Sequence, residues 1–214
     1  MKSCARYLGV GCLILLTGCG SKEDANEKNF GAAISRFVEQ SNELCMGFRV
    51  NQWPIDLPVE WPVDGRPNGP QQMAALEGVG LVSSTIADAA QNDVFGRAGG
   101  VVRKVKRYEL TSKGRRFYRE KAGAQGMMSE GDFCYGNAAL GSIVRWEGPV
   151  KGGEPQQARV TYTYKIEDLA EWTKDAAFEA VFQTVAGVVE GAGTRELQKI
   201  LILTSSGWEA SGAN

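Results

Sequence analysis

Histidine is absent from all 214 residues, and its absence excludes more chemistry than any motif present adds. No imidazole can serve as the base of a Ser or Cys triad, and none can bind a metal. Zinc, haem and His-dependent hydrolase readings fall together. The chain also lacks a G-x-S-x-G elbow and a G-x-x-x-x-G-K-[ST] phosphate loop. Gly78-Val79-Gly80 is a fragment without the rest of a dinucleotide fingerprint, and Gly187, Gly191 and Gly193 close a helical pattern, where they read as a helix stop and turn. No apolar run approaches the roughly 20 residues that a spanning helix needs. Neither a cofactor nor a metal site is expected.

What is present begins with an address. Lys2 and Arg6 precede an apolar stretch from Tyr7 to Leu16, closed by Leu16-Thr17-Gly18-Cys19. Charge, apolar run, small residues and cysteine in that order have the pattern of a removable secretory segment. The ending resembles the lipobox of bacterial lipoproteins. The resemblance implies that residues 1–18 are a signal peptide, that Cys19 is lipidated, and that more than one acyl chain anchors the protein stably to a membrane. In that family an Asp after the lipidated cysteine retains many enterobacterial members in the inner membrane. Gly20 stands there instead, which implies the periplasmic face of the outer membrane.

Of five cysteines, Cys4 and Cys12 leave with the signal and the lipid consumes Cys19. Cys45 and Cys134 remain as an even pair in an oxidising compartment, which points to a disulfide. Two buried free thiols that never meet are the alternative. Residues 43% hydrophobic and 9% aromatic are enough to fill one sizeable core or two small ones.

Along the chain, Gly20 to Asn29 is polar and reads as the spacer of a lipidated tether, 19–29. Phe30, Ala33, Ile34, Phe37 and Val38 predict a helix from Phe30 to Ser41. Glu43 to Val50 reads as a strand. The segment from Trp53 to Pro70, with five prolines and two tryptophans, reads as a loop unsuited to a central strand. Trp53 and Trp61 are candidate partner contacts there, or clamps that pack the loop on its own domain. A helix opens at Pro70 and ends near Gly78.

Leu76-Glu77-Gly78-Val79-Gly80-Leu81-Val82 and Arg107-Tyr108-Glu109-Leu110-Thr111-Ser112-Lys113-Gly114 together resemble the recognition-helix end and wing of winged-helix transcription regulators, over residues 70–114. Between Arg97 and Lys121, ten basic residues stand against Glu109 and Glu120, in a chain whose net charge is −1. Arg103, Lys104, Lys106 and Arg107 are the candidate partner-binding residues. Such a patch fits phosphate contacts in a cytosolic protein. In the periplasm it fits an anionic polymer, lipid phosphates or an acidic protein, or it is a solvated strand face.

In the last third, Phe133–Gly136 and Ser142–Trp146 read as strands joined by a turn, Asn137 to Gly141. Arg159 to Ile166 alternates strictly, as in a sheet covered on one face. The expected cover is a helix carrying Leu169, Trp172, Phe178, Val181, Phe182, Val185, Val188 and Val189, capped by Asp168 with Glu171. Leu197 to Thr204 completes a β-β-β-α-β unit. The expected fold is therefore α+β, antiparallel sheets on helices, with parts at 30–121 and 132–214. The functional expectation is a non-catalytic, lipid-anchored periplasmic protein that binds an envelope protein or anionic envelope polymer, with no nucleic acid. The alternatives are a winged-helix nucleic-acid binder and an Asp/Glu-dependent wall- or glycan-active enzyme.

Overall fold

The computed structural model describes residues 21–48, 52–60, 69–90, 102–121, 130–149, 153 and 155–212. Cys19, with the lipobox, and Trp61 lie outside them. The fold is α+β, with two antiparallel sheets and several short helices.

Helix α1 (Glu27–Glu39) starts three residues before its apolar stripe, because the Asn26 side chain accepts from the Asn29 amide at 2.9 Å and caps it. Strand β1 (Glu43–Cys45) is shorter than expected. Gly47 turns at φ +75°, and the amides of Gly47 and Phe48 donate to the Asp132 carboxylate at 2.9 and 3.0 Å. A side chain thus takes the donors that a longer ladder would have used. The proline-rich segment contains a strand after all, β2 (Ile55–Pro58), at the sheet edge that proline tolerates.

Helix α2 (Pro70–Gly78) begins with proline in its first turn, where no amide is needed. β3 (Val82–Ala90) and β4 (Val102–Leu110) form an antiparallel pair, and β4 is the middle of the three-stranded sheet β2-β4-β3. Helix α3 (Ser112–Phe117) and β5 (Tyr118–Lys121) follow. The winged-helix resemblance thus corresponds to a helix followed by a hairpin, while α1 packs on the larger sheet and α2 packs against β3 and a later helix.

The larger sheet is built on β6 (Glu130–Glu147), in the order β1-β6-β7-β8-β9 with β5 also paired to β6. Here the structure corrects the expected turn. Asn137 to Leu140 pair in register with β7 (Gln157–Glu167), and Gly141 is the extra residue of a bulge. A Cβ at Gly141 would lie 2.7 Å from Thr163 Oγ1, so the glycine permits a close strand approach rather than a reversal.

The long helix expected after β7 is three pieces: a 3-10 turn (Glu171–Lys174), α4 (Ala176–Val181) and α5 (Gln183–Glu190), broken at Phe182 with φ −104° and ψ 57°. Its cap is also different. Asp175 accepts from the Phe178 amide at 2.9 Å, whereas exposed Asp168 has φ +53° and Glu171 pairs with Lys174. Gly191 does stop α5 and Gly193 does turn, at φ +79°. β8 (Leu197–Thr204) has the expected bounds, and β9 (Gly207–Ala210) carries Trp208.

Two cores result. Phe30, Ala33 and Ile34 of α1 cover Val160, Tyr162, Leu201 and Trp208, so the first helix covers most of that face of the sheet, and the expected following helix meets it at Tyr164, whose hydroxyl donates to the Val188 carbonyl. The second core joins Met73, Leu76 and Tyr108 to Phe133, Tyr135, Trp172 and Phe178. Thr161 and Thr163 are buried as well as their apolar neighbours, so the one-sided pattern is incomplete. Thr161 lies in register between Arg145 and Gln198, and Thr163 bonds Ser142 Oγ at 3.0 Å. Long polar neighbours, with the Arg145–Glu196 ion pair, cover the threonines.

Candidate partner-binding surface

Val105 and Tyr108 of β4 are buried, 0% and 2% exposed, three positions apart and so on opposite faces of the small sheet, while its cations are at the surface or half-buried. The structure divides the four candidate cations into two kinds. Arg107 donates twice to the Asp56 carboxylate, both bonds 2.7 Å, tying β4 to β2. Lys106 donates to Glu77 at 2.8 Å, tying β4 to α2, and lies 5.0 Å from the Tyr108 ring centroid. These two hold elements together. Among the described residues the Lys104 side chain makes only a 3.5 Å contact with exposed Asp88, and Arg103 has no ion pair. Arg103 and Lys104 are therefore the members available to a partner.

Other cations of the basic run are dispersed. Arg115 and Arg116 sit exposed on α3, beyond the opposite end of β4 from Arg103, at about 3.4 Å per strand residue. Lys113 donates to the Val79 carbonyl at 2.6 Å, and Arg119 pairs with Glu43 at 3.2 Å. A run that is compact in sequence is spread in space. Trp53 is half-buried, edge-on to Tyr118 and Phe133 with centroids 5.9 and 6.3 Å away, so it packs its segment onto the second core.

Hydrogen bonding from the Arg107 guanidinium holds the Asp56 carboxyl below the usual carboxylate range. Burial alone would raise the Glu77 carboxyl, but bonds from Lys106 and Ser84 outweigh it and the net shift is downward. Glu77 accepts from the Ser84 amide and hydroxyl at 3.1 and 2.6 Å. Carboxyls depressed on folding contribute stability at neutral pH and lose it as pH falls through their folded values, here in acid below about pH 4. Carbon-detected titration should show the Asp56 midpoint rising in Arg107→Gln and that of Glu77 rising in Lys106→Gln. Unmoved midpoints would refute the pairings.

Cys45 and Cys134 face one another in the β1–β6 register and are bonded, closing a separation of 89 residues. Glu43 has a carboxylate oxygen within 4.8 Å of both sulfurs, but the sulfurs are committed to each other and Glu43 to Arg119.

Sequence composition missed one contact set entirely. Residues Ser21 to Asn29, which read as a free spacer, lie along the body. Lys22 Nζ donates to the Ser205 carbonyl at 2.6 Å, Trp208 Nε1 to the Glu23 carbonyl at 3.1 Å, and Asn29 Nδ2 to the carbonyls of Ser21 and Asp24. Among the described residues no helix is long and apolar enough to cross a membrane. Comparison with protein-family models, curated proteins and solved structures finds no match to this chain.

Proposed function

We propose that this protein is a non-catalytic lipoprotein, anchored through Cys19 to the periplasmic face of the outer membrane, whose α+β body binds an envelope protein or anionic polymer. The observation that carries this reading is Leu16-Thr17-Gly18-Cys19 behind a short apolar run. The Cys45–Cys134 bond agrees with an oxidising compartment. The clamped segment adds an orientation. Cys19 is two residues from Ser21, so lipid would enter within about 7 Å of it, beside the β8–β9 turn. β9 is at one end of the sheet path and β1 at the other, and the hairpin packs into the core shared with β1's neighbours, which supports a hairpin set apart from the anchor. That arrangement favours a periplasmic partner for Arg103 and Lys104 over the anchoring membrane.

The test is the intact mass of native protein extracted in detergent, before and after reduction and alkylation, followed by crosslinking in cells. A chain starting at Cys19 with acyl mass, gaining two alkyl groups only after reduction, is expected. Arg103→Ser with Lys104→Ser should then weaken partner capture several-fold at unchanged melting temperature. An unmodified chain beginning near Met1 with free thiols overturns the assignment. A nucleic-acid-binding reading, favoured by the helix-then-hairpin order of α2, β3 and β4, would then be tested on DNA.

A further inference from the structure

Beneath the C-terminal end of α1 the larger sheet leaves a cavity of about 430 Å³, within the roughly 300–1,000 Å³ usual for small-molecule sites. Phe37, Leu44, Val188 and Leu197 supply apolar wall, and among the described residues no carboxylate lines it. Arg195 also lines it and has no ion pair among the described residues. Lys199 adds a second positive charge beside the wall, with Nζ 3.9 Å from the Phe37 ring centroid. Gly187 and Gly191 leave room for the Arg195 guanidinium along the end of α5: a Cβ on Gly191 would lie 3.0 Å from its Nε.

An independent observation points into the same cavity. Tyr162 lines it with its ring buried, and its hydroxyl, which keeps some exposure, has no hydrogen-bond partner among the described residues. Its neighbour Tyr164 is satisfied, donating to the Val188 carbonyl at 2.6 Å. The oxygen itself is not fully enclosed, so a ligand acceptor in the cavity would replace water on it. A tyrosine hydroxyl is a donor at neutral pH, and burial pushes that of Tyr162 further upward.

We propose that this cavity binds a single-chain amphipathic anion, its aliphatic tail against Phe37, Leu44 and Val188 and its carboxylate held by Arg195 and the Tyr162 hydroxyl. The alternative of a neutral apolar ligand leaves Arg195 and the tyrosine without a role. This inference does not depend on lipidation at Cys19. Its test is calorimetric titration of the full chain with decanoate, with decanol as the neutral counterpart, in lipid nanodiscs if the chain carries lipid and in buffer if it does not, and with the protein-free medium as the blank. Saturable decanoate binding below about 1 mM is expected, with decanol at least tenfold weaker. Arg195→Gln, a change at an exposed side chain, should weaken decanoate about tenfold and leave decanol unchanged. Tyr162→Phe, which keeps the ring, should weaken decanoate about fivefold. Decanoate heats equal to the blank, equal binding of acid and alcohol, or an Arg195→Gln variant that binds as the parent does would each overturn the proposal.

Discussion

Replacing Cys45 and Cys134 together by serine should lower the melting temperature by roughly 10 °C or more. The bond joins residues 89 apart in sequence. On the chain-entropy account a loop of that length restricts the unfolded chain by about 4 to 5 kcal/mol, and for a chain of this size each kcal/mol moves the midpoint by about 2–4 °C. The folded architecture should persist, because β5 also pairs with β6 and the second core joins Leu76 and Tyr108 to Tyr135 and Phe178. The local consequence falls on β1, whose three residues meet β6 at one end of the sheet. Scanning calorimetry of the double variant, and of the parent with and without reductant, should give the same displacement. A change under about 3 °C in either would show that the bond does not restrict the unfolded chain as supposed.

Local signals were legible wherever one segment determines its own structure. Pro70 marks the start of α2, the apolar spacing of Phe30, Ala33 and Ile34 marks the buried face of α1, and Leu197–Thr204 matches β8. What the residues do not carry is the identity of the element that covers a face. The strict alternation of β7 announces a buried side, but α1, more than a hundred positions earlier, covers most of it. Gly141 is ambiguous for a similar reason: a turn and a close strand crossing both exclude a side chain, and only Thr163 decides between them. Phe182 interrupts the helical stripe without any Gly or Pro to mark the break.

The candidate site shows the same division. Ten basic residues are visible as a run, but Asp56 and Glu77 lie 51 and 29 positions from their partners Arg107 and Lys106. Sequence therefore placed Lys106 and Arg107 on a partner-binding surface, whereas the fold uses them as internal ties. The segment from Ser21 to Asn29 escapes for another reason. Its polar composition describes side chains, whereas the acceptors are backbone carbonyls, Glu23 for Trp208 Nε1 and Ser205 for Lys22 Nζ, which composition does not register. Tyr162 and Arg195 lie on separate segments, and nothing near either residue signals a shared cavity.

Gly114→Ala should destabilise the protein by about 3 kcal/mol or more, the second large effect. Gly114 is buried within α3, and a Cβ there would stand 1.9 Å from the Leu81 carbonyl oxygen and 2.9 Å from its carbon. Because those are backbone atoms, no rotamer change relieves the clash. The backbone is held there by Thr111. Its Oγ1 accepts from the Gly114 amide at 2.9 Å and donates to the Gly80 carbonyl at 2.7 Å, while its own amide donates to Leu81 O at 3.1 Å. Leu110-Thr111-Ser112-Lys113-Gly114 is thus the start of a helix fastened to the root of β3, and the glycine allows two backbones to meet. Moving α3 to accommodate a methyl group would break these bonds and displace Phe117 from the Trp172 ring, 5.6 Å away centroid to centroid. Gly78→Ala provides the contrast, since nothing lies within 4 Å of its added Cβ and it closes α2. That change should leave stability unaltered or raise it by up to about 1 kcal/mol. Paired denaturant titrations measure the difference, and equal midpoints for the two variants would show that α3 is not fastened through Gly114.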